Sequence, residues 1–397
     1  MRGLYTFGIR AYAAAVRIAA WFGNPKAKLW VEGRKKALPQ ADDDAQWVWF
    51  HAASLGEFEQ GRPLIEALKK QYPQLKVSLT FFSPSGYEIR KDYPLADEVL
   101  YLPIDTPRNA ENWVDRHRFV AAFFIKYEFW FNYMKALADQ GIPLYYISLI
   151  LKPNQYFFRW YGGWFRKQLN HVSHFFVQDG TTLDLLKNIG LDNATLCGDT
   201  RFDRVAAIAK TAKRFPEIED FIHGRQCIIA GSTWPPDEKL LIPYLEQLPD
   251  DYCMIIAPHD ISERHIKQIR EGLIHVDPDK VYLVDTIGML SQLYQYARFV
   301  YIGGGFGVNI HNIQEPVTFG CPVVFGPKYK SFKEAVDLVG LGGAFSINNQ
   351  LELKQAFDRL RDETYCQEAS RICKSYLNEQ LGATEAIMRE ITSTFSF

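Results

Sequence analysis

Apolar runs, each closed by a turn signal and followed by a stretch of helical period, recur along nearly the whole chain. In the first half they fall at 46–50, 77–82, 98–102, 119–125, 143–150, 174–177 and 194–197, with helical stretches that include 57–71, 129–140 and 180–188. A second series follows at 227–231, 252–258, 281–285, 299–303, 323–325 and 344–347. Several runs are apolar throughout instead of alternating, as expected for parallel strands covered on both faces. Between 202 and 223 the chain turns charged and irregular, with Pro216 inside, and reads as a linker. The C-terminal residues read as helix with one polar side. The pattern predicts two Rossmann-like α/β domains facing a cleft. The segments are 1–36 (N-terminal, membrane-associated), 37–205 (first domain), 206–222 (linker), 223–375 (second domain) and 376–397 (a helix crossing back).

Composition supports two cores. The chain has 397 residues, 47% hydrophobic and 15% aromatic, whereas single cores stop growing at roughly 250–300 residues. The net charge of −1 argues against general nucleic-acid binding, which needs a basic excess. The six cysteines form no C-x-x-C pair, and Cys227 and Cys253 lie inside apolar runs. Buried free thiols in a reducing cytosol are expected.

Charge changes the picture at the start of the chain. Arg2, Arg10, Arg17, Lys26, Lys28, Arg34, Lys35 and Lys36 face a single acid, Glu32. Residues 3–22 are long enough to cross a bilayer, but Arg10 and Arg17 make spanning costly. An amphipathic helix lying in the membrane interface, drawn to anionic headgroups, fits this pattern. An ordinary surface helix packed on the domain is the alternative.

The candidate chemistry sits where strands end. The run 46–50 stops at a small-residue turn, and Glu57 follows at the start of a helix. Backbone N–H groups there stabilise an ionised carboxylate, and the carboxyl edge of an open α/β sheet is where ligands bind. Glu57 is thus placed to take a proton from a hydroxyl, or is simply a favourable first-turn acid. Ala52-x-Ser54-x-Gly56 also approximates a nucleophile elbow, so a serine hydrolase using Ser54 is a rival. Glu128, after the run 119–125, supplies a second acid that positions an acceptor, tunes Glu57, or pairs with Lys126.

In the second half, Ser232 and Thr233 end a strand and open a helix, where hydroxyls and N–H groups donate to an anion. Pro258-His259-Asp260 ends the next strand, with His259 a candidate for phosphate or sugar hydroxyls. Gly303, Gly304 and Gly305 leave room for a ligand but lack the dinucleotide fingerprint. Asn312-Ile313-Gln314-Glu315-Pro316 then opens a helix, with Asn312 a candidate phosphate donor and Glu315 either a plain first-turn acid or a candidate partner for a ribose diol. The chain has no Walker A loop and no H-E-x-x-H motif, and no metal is expected.

Several of these segments together resemble the 3-deoxy-D-manno-octulosonic acid (Kdo) transferases. They are His51-Ala-Ala-Ser-Leu-Gly-Glu57 with Pro63-Leu-Ile, Glu128-x-Trp130, Gly231-Ser-Thr, Asp285-Thr-Ile-Gly-Met289 and His311-Asn312…Glu315-Pro316. The family is more usual with arginine at 259, glutamate at 289 and Ser-Leu at 305–306. The resemblance implies a B-type glycosyltransferase fold with an N-terminal acceptor domain and a C-terminal CMP-Kdo domain. It implies inverting transfer of Kdo from CMP-Kdo to the lipid A precursor (lipid IVA) in lipopolysaccharide synthesis, without a cofactor. Glu57 would be the general base, supported by Ser54, Gly56 and Glu128. CMP would meet Ser232, Thr233, Pro258, His259, Ile287, Gly288, Met289, Gly304, Asn312, Ile313, Gln314 and Glu315. The expected location is the cytoplasmic face of the inner membrane. A B-type transferase with another nucleotide-sugar donor, and a non-catalytic nucleotide or glycan binder, remain as rivals.

Overall fold

The computed structural model describes residues 1–36, 38–39 and 44–394. Each apolar run read from the sequence is a strand. The strands are β1 (Gln46–Ala52), β2 (Lys76–Phe81), β3 (Glu98–Tyr101), β4 (Arg118–Ile125), β5 (Leu144–Leu149), β6 (His174–Val177) and β7 (Ala194–Leu196) in the first unit. The second unit holds β8 (Gln226–Thr233), β9 (Tyr252–Pro258), β10 (Val281–Leu283), β11 (Ala297–Ile302), β12 (Val323–Phe325) and β13 (Ala344–Ser346). The first unit comprises residues 1–203 and the chain from Gly382; the second runs from Arg204 to Leu381.

The first sheet has the order β3-β2-β1-β4-β5-β6-β7 and the second β10-β9-β8-β11-β12-β13. All pairings are parallel. Both follow the doubly wound order, which reverses between β1 and β4 in one sheet and between β8 and β11 in the other. Crevices for ligands open at the carboxyl ends of strands at such reversals.

The unbroken apolar runs follow from burial on both faces. Phe50 stands opposite Leu79 and Phe123 in register. Phe50, Phe123, Tyr145 and Phe176 pack one face, while Trp49, Phe124, Tyr146 and Phe175 pack the other. The second sheet repeats this with Ile228, Met254, Phe299 and Val324. All six cysteines are free; five are buried and Cys197 is partly exposed.

The stretch expected to be irregular is largely helical. Thr200–Lys210 and Pro216–Ile222 are helices, and the boundary between the units falls within the first. At the other end, helix Glu363–Gln380 stays in the second unit and the chain returns to the first at Gly382. There the Asp203 carboxylate accepts the backbone N–H groups of Gly382 and Thr384 at 2.7 and 2.6 Å. Helix Ala383–Thr394 then buries Ile387, Met388 and Ile391 in the core of the first unit. Each such side chain contributes about 1.5–3 kcal/mol.

Helices α1 (Arg2–Trp21) and α2 (Pro25–Gly33) precede β1. No helix among the described residues is long and apolar enough to cross a membrane. One face of α1 packs on the first unit: Tyr5 lies edge-on to Phe131 at 4.9 Å, and its hydroxyl donates to Asp105 at 2.6 Å. Asp105 is buried and also accepts the N–H groups of Asn132 and Tyr133. The opposite face carries Leu4, Phe7, Ala11, Ile18 and Phe22, all exposed and spaced by three or four residues or multiples of a turn. The helix is amphipathic as expected, but its polar contacts face the protein and its apolar face looks outward.

Candidate active site

The first site is built where the first sheet reverses. α3 (Leu55–Gln71) starts directly after β1, with Ser54 as its N-cap and Glu57 in the first turn. Glycine at 61 lets α3 approach the sheet closely, since a β-carbon there would stand 2.3 Å from Ile125 Cδ1. The half-buried Glu57 carboxylate accepts the Ala53 N–H at 2.5 Å. Burial, reinforced by the charge of Glu128, raises its pKa to about 7 despite the Ala53 and Ser54 N–H groups and Lys126, which lower it. The sequence reading expected N–H groups to hold it ionised; desolvation outweighs them.

Glu128 lies on the other side of the reversal, just past β4. Its Oε2 accepts the Trp130 indole N–H at 2.9 Å, and the same N–H lies 3.0 Å from His51 Nε2. His51 is fully buried on β1, with Nδ1 2.9 Å from Thr80 Oγ1. Thr80 Oγ1 donates to Phe50 O at 3.2 Å, so it accepts from His51 Nδ1–H. That leaves Nε2 as an acceptor for Trp130. The Tyr146 hydroxyl donates to Glu128 O at 2.8 Å and fixes the turn. Lys126 adopts φ +58°, a left-handed conformation rare for a side chain with a β-carbon, as local strain near functional sites often does.

Ser54 has φ −143° and ψ 173°, which is relaxed extended backbone, and its side chain makes no cap hydrogen bond. Both ring nitrogens of His51 are engaged elsewhere. A strained nucleophile elbow with a waiting base is therefore not what this turn forms. Gly56 is exposed, and a β-carbon there would have nothing within 4 Å.

The second site occupies the corresponding edge of the second sheet. Ser232, at the end of β8, has φ +54° and is partly exposed. Thr233 is buried and donates to Glu238 at 3.0 Å, so its hydroxyl points inward, away from any ligand. Trp234 caps the helix Pro235–Leu245, and its ring stacks on His259 at 4.8 Å. His259 stacks on His311 at 4.3 Å, and the Trp234 indole N–H donates to His311 Nε2 at 2.9 Å. Burial, with His259 alongside, lowers the His311 pKa to about 4.

Gly304 has φ +90°, and a β-carbon there would stand 2.5 Å from Asn309 O and 2.9 Å from His311 Cδ2. Only glycine fits this turn. Asp237 holds it by accepting the Gly304 N–H at 2.9 Å, the Trp234 N–H at 2.9 Å and the Tyr301 hydroxyl at 2.8 Å. Trp234, Pro235, Gly304, Val308 and His311 line a cavity of about 390 Å³.

The remaining predicted contacts divide. Pro258 is buried at the end of β9. Ile287 is 86% exposed and Gly288 (φ +95°) is exposed beside it, while Met289 Sδ accepts from Thr286 Oγ1 at 3.1 Å. Asn312 is exposed, with Oδ1 accepting the Gln314 N–H and Nδ2 3.4 Å from Glu315 Oε1. Ile313 and Gln314 have buried side chains, and Gln314 Nε2 donates to Glu334; only their backbone can reach a ligand. No group of three or more His, Cys, Asp or Glu among the described residues could hold a metal ion.

The sequence reading left His51, Thr80 and Asp237 without roles. His51 and Thr80 look like members of apolar runs, and Asp237 like a first-turn acid. A polar residue inside a strand covered on both faces was the available signal, because a buried polar group needs a partner.

Residues 25–204 match the family model described as 3-deoxy-D-manno-octulosonic-acid transferase (kdotransferase). A 3-deoxy-D-manno-octulosonic acid transferase of Rickettsia bellii is 24% identical over 86% of this chain and 85% of its own length. One of Aquifex aeolicus is 25% identical over 84% of this chain and 92% of its own length. Among solved structures, the UDP-GlcNAc 2-epimerase of Neisseria meningitidis shares the fold, with a TM-score of 0.64 over 88% of this chain and all of that one, at 14% identity. Each unit therefore has the parallel α/β form of the B-type glycosyltransferase fold. The chain is thus similar to Kdo transferases over residues 25–204 by the family model and, at 24–25% identity, over most of its length.

Proposed function

We propose that this chain transfers Kdo from CMP-Kdo to the lipid A precursor in lipopolysaccharide synthesis. Glu57 acts as general base. An acceptor hydroxyl attacks the anomeric carbon of Kdo as the bond to the CMP phosphate breaks. Glu57 takes the hydroxyl proton, CMP leaves with the bonding electron pair, and one displacement inverts the anomeric centre. The observation that carries this reading is the position and acidity of Glu57: it sits at the reversal of the first sheet with a pKa of about 7. A base works best when its pKa lies near the working pH, because it is then both available and strong enough.

Donor recognition is assigned to the second sheet's edge. Ser232, His259, Gly304, Asn312 and Glu315, with the backbone at 287–289 and 313–314, would meet CMP-Kdo. Fixed N–H groups and dipoles stabilise a leaving phosphate without reorganising, and no metal is required by this scheme. The outward apolar face of α1, flanked by the exposed Arg10 and Arg17, would seat the enzyme on the cytoplasmic face of the inner membrane.

The test is incubation with CMP-Kdo and tetra-acylated lipid A precursor, read by mass spectrometry. A product heavier by one or more Kdo residues is expected, and its absence under conditions that keep the protein folded would end the proposal. Thermal stabilisation by CMP but not by UMP or UDP is the companion result; the reverse order would reassign the donor.

A further inference from the structure

One half-buried cation in the first unit, Arg34, has no carboxylate among its hydrogen-bond partners in the described residues. The Arg34 guanidinium donates to Leu102 O at 2.8 Å, Phe82 O at 2.8 Å and Trp30 O at 3.4 Å. It lies 3.9 Å over the Trp30 ring. Every one of these partners is neutral. Burial lowers its pKa to about 9, against the smaller upward pull of Tyr101, Tyr133 and Tyr12.

Arg34 borders a cavity of about 290 Å³ that is also lined by Arg17 of α1, Lys35, Trp30, Ile104 and Asn109. The cavity's lining contributes three cations and no carboxylate. Neither Arg17 nor Lys35 forms a salt bridge with any described residue. Three positive charges around one concavity repel each other unless an anion enters. A guanidinium fork and an ammonium are the groups that hold phosphate oxygens.

The cavity also has a defined place relative to Glu57. Ile104 follows β3, and Phe82, whose carbonyl binds Arg34, follows β2. The Phe82 ring stacks at 4.9 Å on Trp130, which binds Glu128 and His51. Both lie at the carboxyl edge of one sheet, two strands apart, or about 10 Å. Arg17 brings the C-terminal part of α1 to the cavity, and the exposed Ile18, Trp21 and Phe22 follow it in the chain.

We propose that the Arg17–Arg34–Lys35 cavity binds a phosphate group of the acylated acceptor and so sets which hydroxyl reaches Glu57. The proposal rests on the acceptor reading above and names its phosphate subsite.

The test uses full-length protein carrying Arg17→Gln and Lys35→Gln together. Arg34 is left in place because it ties three segments of the fold. In neutral detergent micelles, the variant's KM for a phosphorylated acceptor should rise at least tenfold, with kcat and donor KM within about twofold. Wild type should show the same rise for the acceptor stripped of phosphate, and the variant should add nothing further on that substrate. An equal rise on both acceptors, or no rise, overturns the proposal. So does a change seen only in binding to anionic phospholipid vesicles, which would mark a bilayer headgroup as the ligand. Should no acceptor be turned over at all, the transfer reading fails separately. Equilibrium binding of the phosphorylated acceptor, at least tenfold weaker for the variant, then still decides for the cavity, and unchanged binding decides against it.

Discussion

Glu57 titrates in the field of Glu128. The two acids follow β1 and β4, the strands between which the first sheet reverses direction. Glu128 is held there by the Trp130 indole N–H and stands 3.4 Å from His51 Nε2. Burial and this neighbouring charge together raise Glu57 to about 7. A residue with so large a shift at the carboxyl edge of a sheet reversal is a functional candidate on physical grounds.

Transfer should therefore depend on pH in a stated direction. The base must be ionised, so kcat should rise with pH through about 7 and level off above it. Glu128→Gln removes one cause of the shift, and the rising limb should move to lower pH. A limb that stays in place in that variant would show that Glu128 does not tune Glu57.

Glu57→Gln should abolish turnover while leaving CMP affinity nearly unchanged. It should also stabilise the protein at pH 8. A carboxyl whose folded pKa is raised gives stability that is present below its unfolded pKa, near 4.5, and lost as pH rises through about 7. The neutral amide avoids that loss. The expected gain at pH 8 is roughly 1–3 kcal/mol, read by urea denaturation, with little difference from wild type at pH 4. Substantial turnover in this variant would refute the role of Glu57.

Gly304→Ala should disrupt the second site. The new methyl would press on Asn309 O and the His311 ring in a left-handed conformation. That conformation alone costs about 1–2 kcal/mol for a residue with a β-carbon. CMP affinity should fall at least tenfold by calorimetry, and wild-type affinity would show that the turn does not shape the donor site.

The C-terminal helix should be integral to the first unit. Ile391 is fully buried there with Ile387. Ile391→Ala should cost about 2–4 kcal/mol, seen as a lower urea midpoint with unchanged slope. A change under about 0.5 kcal/mol would mean that the helix is an appendage.

The sequence by itself determined the strands and the two doubly wound units, because residues covered on both sheet faces must be apolar throughout. It also located Glu57, Glu128, Gly304 and Glu315, because ends of strands and starts of helices carry local signals: small residues, glycines and first-turn acids. Tertiary structure decided which polar groups the fold itself claims and which stay open at the sheet edges. Thr233 and Gln314 look like ligand contacts in the chain, yet Glu238 and Glu334 claim them. His51, Thr80 and Asp237 look like ordinary strand or helix residues, yet they organise the two edges. The acidity of Glu57 and the neutral carbonyl partners of Arg34 were likewise invisible, since desolvation depends on neighbours distant in sequence. Local pattern reports periodicity and backbone preference, while burial and charge compensation arise only when the chain is folded.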